Sequence, residues 1–144
     1  MDLVGSHDPD LPLLAVEELL KWDGIDAVIG LGMVGVQELA RLLVASTREV
    51  DAAKSPAMLD RIESLSRDYE RNYIEGVAGF MERYEKPVIG VSLTKAEGGT
   101  VRPVPGQRYS PVFYQTPEDA VNVLARMVAY QRFLSNRDGL LPKS

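Results

Sequence analysis

Three glycines in the string Gly30-Leu31-Gly32-Met33-Val34-Gly35 fall at the spacing G-x-G-x-x-G. Glycines so spaced let a backbone turn sharply and come close to a phosphate. If a helix begins directly afterwards, its free amides and the positive end of its dipole favour an anion there. The context is right: Ile25 to Leu31 is an apolar run with Asp26 as its one charge, and Val36, Leu39, Ala40 and Leu43 follow at helical spacing. The amides of Met33 to Val36 therefore form a candidate anion seat, and a side chain introduced at Gly32 or Gly35 is expected to obstruct it. Dinucleotide binding is one chemistry such a turn supports, but it also needs an acid at the end of a second strand about 20 residues on. At that distance Ser46-Thr47-Arg48-Glu49-Val50-Asp51-Ala52 has acids and no strand pattern, and a complete strand and helix precede the turn. A third reading is conformational: the glycines serve only a tight strand-to-helix turn.

The cations with a functional reading are Lys95, Arg102 and Arg108, all in the Pro/Gly-rich stretch Thr94 to Ser110. This stretch leaves the carboxyl end of a strand, the edge at which open α/β sheets bind ligands, so it is a possible anion-contacting loop. A solvated hairpin with ordinary surface charges is the competing reading. The single histidine, His7, lies in a polar turn beside Asp8 with no evident partner, which suits an exposed loop residue better than a phosphoryl carrier. With no cysteine, thiolate metal sites, disulfides and cysteine nucleophiles are excluded, and no metal site is expected.

The elements that must position these residues follow from periodicity. Met1 to Val4 reads as the end of a strand, and so abrupt a start suggests a segment of a longer polypeptide. Helices are expected from Asp10 to Trp22, from Val36, from about Ala57 to Tyr84, and from the Thr116 cap to Ser135; strands at Ile25–Leu31, Val88–Leu93 and Val112–Tyr114. Ser46 to Pro56 reads as a connection or frayed helix end. Gly76 and Gly79 give the long helix a flat patch for close packing. In the last helix Ala120, Val123, Leu124, Met127, Val128 and Leu134 make the expected buried face. This order argues for an α/β domain over residues 1–135, a three-layer, flavodoxin-like (Rossmann-like), mainly parallel sheet of four or five strands with helices on both faces, followed by a flexible tail, 136–144. At 144 residues the chain is long enough for one core. Its net charge of −5 has the wrong sign for nucleic acid, and no apolar run approaches the roughly 20 residues of a membrane span. A soluble, cytoplasmic domain is expected.

Several segments together resemble the nucleoside-diphosphate-forming acyl-CoA synthetases, the family of ADP-forming acetyl-CoA synthetase and succinyl-CoA synthetase. They are Asp2-Leu3-Val4-Gly5, Gly24-Ile25-Asp26-Ala27-Val28-Ile29, Lys86-Pro87-Val88-Ile89-Gly90-Val91 and Pro111 to Val121, the last followed by Leu124-Ala125 and Tyr130-Gln131-Arg132. The likeness spans most of the chain apart from Ser46–Ala57 and Thr94–Ser110, and it is to the second flavodoxin-like ligase domain. The resemblance implies an enzyme that converts acyl-CoA, phosphate and ADP to free acid, CoA and ATP through a phosphohistidine. It implies that CoA binds another domain, that the histidine belongs to the first ligase domain, and that ADP with magnesium binds an ATP-grasp unit. This domain by itself would hold no cofactor and no catalytic residue. Its implied part is a helix N-terminus facing the phosphohistidine, matched here by Gly32, Met33, Val34 and Gly35. A catalytically inactive interaction module is the alternative within the same resemblance.

Overall fold

The computed structural model describes residues 8–51, 55–92, 94 and 101–138. The expected first strand, His7 and Lys95 lie outside the described residues, as do residues 139–144. Among those described, the order is α1 (Leu11–Lys21), β1 (Val28–Val34), α2 (Val36–Val50), α3 (Pro56–Tyr84), β2 (Val88–Ser92), β3 (Val112–Tyr114) and α4 (Pro117–Asp138). The three strands form a parallel sheet in the order β1-β2-β3, so the class is α/β.

The central strand β2 is buried along its whole length, and its residues alternate between two apolar clusters. Val88 joins Val28, Val34 and Phe113 beneath Val16 and Leu20 of α1 and Tyr73 and Val77 of α3. Ile89 and Val91 join Ala120 of α4, with Leu124 packed against them. Where α1 ends, the Lys86 ammonium donates to the carbonyls of Leu20 (2.8 Å) and Trp22 (3.0 Å), supplying charge as well as hydrogen bonds to orphan C-terminal carbonyls. Glu17 of α1 accepts from both Arg83 and Tyr84 at 2.9 Å, which fixes α1 across the end of α3. Gly76 provides the expected close contact, since a Cβ there would lie 2.7 Å from the Leu13 side chain; at Gly79 nothing lies within 4 Å.

Four expectations are corrected. First, β1 runs from Val28 to Val34, not from Ile25. The Ile25 amide bonds back to Trp22 as part of the turn after α1, and pairing begins with the Val28 amide on Pro87. Gly30 to Val34 is therefore strand. Gly32 and Met33 are extra residues in its register with β2, a bulge made possible by Gly32 at φ 77°. Nor is β1 buried on both faces, for Leu31 is 57% exposed. Second, α2 continues through Ser46 to Val50: the polar residues there are its exposed face, and Arg48 pairs with Asp60 of α3 at 2.7 Å. Third, α4 extends beyond Ser135 to Asp138. Fourth, beyond Leu124 its expected apolar face is mostly exposed, Met127 by 48%. A helix of 22 residues is about 33 Å long, whereas the three residues of β3 span about 10 Å, so α4 overruns the sheet.

Tyr73, buried under this core, has its hydroxyl pushed up to about 12, chiefly by burial and secondarily by the neighbouring Tyr69. The unfolded chain loses this proton near pH 10 and the folded chain near 12. Stability is accordingly expected to fall as pH rises through that window, by about 2–3 kcal/mol once both forms are ionised. Denaturant titrations at successive alkaline pH values measure the fall, which Tyr73→Phe should largely remove.

Candidate functional site

The carboxyl ends of β1 and β2 meet at Val34 and Ser92. Ser92 and Thr94 form a small polar knot there. The Ser92 hydroxyl lies within donating distance of the Thr94 carbonyl (2.7 Å) and the Val34 carbonyl (3.3 Å), while the Thr94 hydroxyl donates to the Gly35 carbonyl (3.4 Å). Against this knot the chain turns into α2 through one residue, Gly35, at φ 93°. An L side chain strains that conformation, and a Cβ would lie 2.9 Å from the Thr94 amide nitrogen. The tight strand-to-helix turn expected over the whole glycine string is thus the work of Gly35 alone.

At this N-terminus sits an anion that belongs to the chain itself. The Gly35 and Gln37 amides both donate to one carboxylate oxygen of Glu70, at 2.9 and 3.2 Å. Glu70 belongs to α3 and is only 7% exposed. It is held there because α3 turns Glu70, Tyr73 and Val77 inward at helical spacing and packs against α2. Free amides at a helix start are natural donors to an oxyanion, and here they have one. Converting it to an amide in Glu70→Gln keeps the shape and weakens both bonds. A loss of about 1.5–3 kcal/mol is expected for hydrogen bonds to a charged group, measured by denaturant unfolding.

Of the expected phosphate-facing residues, Gly35 is at the seat, with its amide bonded to Glu70. Gly32, Met33 and Val34 belong to the bulged end of β1, where the Met33 sulfur lies 3.6 Å from the Tyr69 hydroxyl. Gly35 also cannot serve as a clean probe of anion approach, because a side chain there meets Thr94 and Ser92 first. In the 94–110 loop, Val101 makes an antiparallel bridge to Val112, and the Arg102 amide donates to the Pro111 carbonyl at 2.9 Å, so the base of the stretch is hairpin-like. Arg102 lines the same cavity as Glu70. Arg108 is exposed, its guanidinium stacked 5.1 Å from the Tyr109 ring centre.

Sequence reasoning missed Glu70. The signal was present: it is an acid three residues before Tyr73 and seven before Val77, on the stripe that periodicity buries. Among the described residues no cluster of three or more acid or histidine side chains could hold a metal ion, and no helix is long and apolar enough to cross a membrane. Compared with protein-family models, curated proteins and solved structures, the chain finds no match in any of the three.

Proposed function

We propose that this chain is the second ligase domain of a nucleoside-diphosphate-forming acyl-CoA synthetase, a flavodoxin-like three-layer unit of four or five strands with helices on both faces. Its α2 N-terminus would stabilise the phosphoryl group carried by a histidine of a companion ligase domain. The observation that carries this reading is the pair of α2 amides, Gly35 and Gln37, already closed on an oxyanion at the carboxyl edge of a parallel sheet. A seat that holds a carboxylate has the donors and the dipole for a phosphoryl dianion, and such donors act on developing charge without titrating. In this reading Glu70 keeps the amides bonded until the more highly charged phosphoryl group displaces it. The resembling segments support the same assignment: Lys86–Val91 supplies β2, and Pro111–Val121 supplies β3 and the first turn of α4, where Thr116 accepts from the Asp119 amide at 3.1 Å. Dinucleotide binding has less support, since only Gly35 of the three glycines lies in the turn that its phosphate would approach.

The chemistry assigned to the whole enzyme is acyl-CoA plus phosphate and ADP giving acid, CoA and ATP, with CoA, ADP and magnesium bound by other units. The test is a coupled assay for phosphate- and ADP-dependent cleavage of acyl-CoA. This chain alone is expected to be silent, with turnover appearing only when the CoA-binding, histidine-bearing and ATP-grasp units are added. Turnover by this chain alone, or equal turnover by the other units without it, would refute the proposal.

A further inference from the structure

On the other side of Glu70 a cavity of about 340 Å³ separates the middle of α3 from the segment Val101–Pro105. Its cations are Arg67 and Arg71 of α3 and Arg102 of the loop; its acids are Glu70, whose Oε2 is bonded to the α2 amides, and the exposed Glu75. Ile74, Pro103 and Pro105 give it apolar walls. Arg71 pairs with Asp68 at 2.8 Å, whereas among the described residues neither Arg67 nor Arg102 forms an ion pair. Arg102 carries the decisive detail: its Nε is buried and has no hydrogen-bond partner. A buried donor on a charged group left without an acceptor is costly and uncommon in a native fold, and the side chain that carries it lines the cavity.

We propose that this cavity binds a small organic phosphate, its phosphoryl oxygens accepting from Arg102 and Arg67 and its apolar body lying on Ile74 and the prolines. Two uncommitted guanidinium groups call for more than one negative charge. A phosphate monoester carries nearly two at neutral pH, and a single carboxylate one. The planar fork of Arg102 is suited to an oxyanion with several acceptors, and the proline-bearing wall favours a ligand with a carbon body over the bare ion. The cavity adjoins the α2 seat, since Gln37 and Glu70 also line it, but the proposal does not depend on the acyl-CoA synthetase reading.

Titration calorimetry of the chain with phenyl phosphate and with benzoate tests this. Phenyl phosphate is expected to bind in the sub-millimolar range and benzoate at least about tenfold more weakly. Arg102→Gln should weaken phenyl phosphate by about tenfold or more, and Arg67→Gln, on an exposed helical face where folding is not at stake, by several-fold. Arg48→Gln, on α2 and outside the cavity, should leave the affinity unchanged. Binding that survives Arg67→Gln in full, benzoate binding as tightly as phenyl phosphate, or no binding of phenyl phosphate would each overturn the proposal.

Discussion

Replacing Gly90 by alanine is expected to destabilise the protein by about 3 kcal/mol, lowering the melting temperature by roughly 10 °C. Gly90 lies in the middle of the fully buried β2, opposite Phe113 of β3, and a Cβ at this position would overlap the Phe113 ring. The ring cannot step aside cheaply. Phe113 is 5% exposed and belongs to the cluster that also holds Val16, Leu20, Tyr73 and Val77. Overpacking of this kind forces rotamers and backbone to shift together. Thermal melts of Gly90→Ala and of the double variant Gly90→Ala/Phe113→Leu measure it, and the smaller side chain should recover part of the loss. If the two substitutions simply add, the ring is not what Gly90 makes room for.

A loss of similar size, about 3 kcal/mol, is expected for Gly35→Ala, from a different cause. Some 1–2 kcal/mol comes from forcing an L residue into the left-handed region at φ 93°. The remainder comes from a Cβ pressed to 2.7 Å from the Thr94 hydroxyl, 2.8 Å from the Ser92 hydroxyl and 2.9 Å from the Thr94 amide nitrogen. The backbone contact makes this costly, because moving Thr94 also disturbs its bonds with Ser92 and Gly35. Unfolding in denaturant measures the effect, and a Gly35→Ala protein as stable as its parent would remove the steric account of this turn. It follows that Gly35→Asp, which the bare sequence suggests as a test of anion approach, reports first on folding.

The class of the fold was legible where period and punctuation agree. Val112–Tyr114 followed by Thr116-Pro117 is a short strand and a capped helix in sequence and in structure alike. The stripe from Ile62 to Tyr84 likewise marks α3. Misplacement occurred where one residue has two uses. Gly30 and Gly32 look like turn residues, yet in a strand with a bulge they sit within the strand, and the bulge is a property of pairing that no local window contains. Ser46 to Val50 looks like a connection because its apolar content is low, but a helical face turned to solvent needs no apolar residue. The candidate site was half legible. The α2 N-terminus could be located from Gly35 and the apolar spacing behind it, whereas its occupant lies 35 residues away on another helix. Periodicity places Glu70 on the buried stripe of α3; it does not say which helix end that stripe will meet.

The central claim is that the start of α2 is a seat for an oxyanion that Glu70 occupies and a phosphoryl group can take. It is tested most directly by following the Gly35 and Gln37 amide resonances while inorganic phosphate is added to the parent chain and to Glu70→Gln. With the competing charge removed, phosphate should move both amides and bind about tenfold more tightly than in the parent, the order of a charge at a helix N-terminus. Amides of a folded Glu70→Gln protein that do not respond to phosphate would mean that the helix start is a structural cap and nothing more.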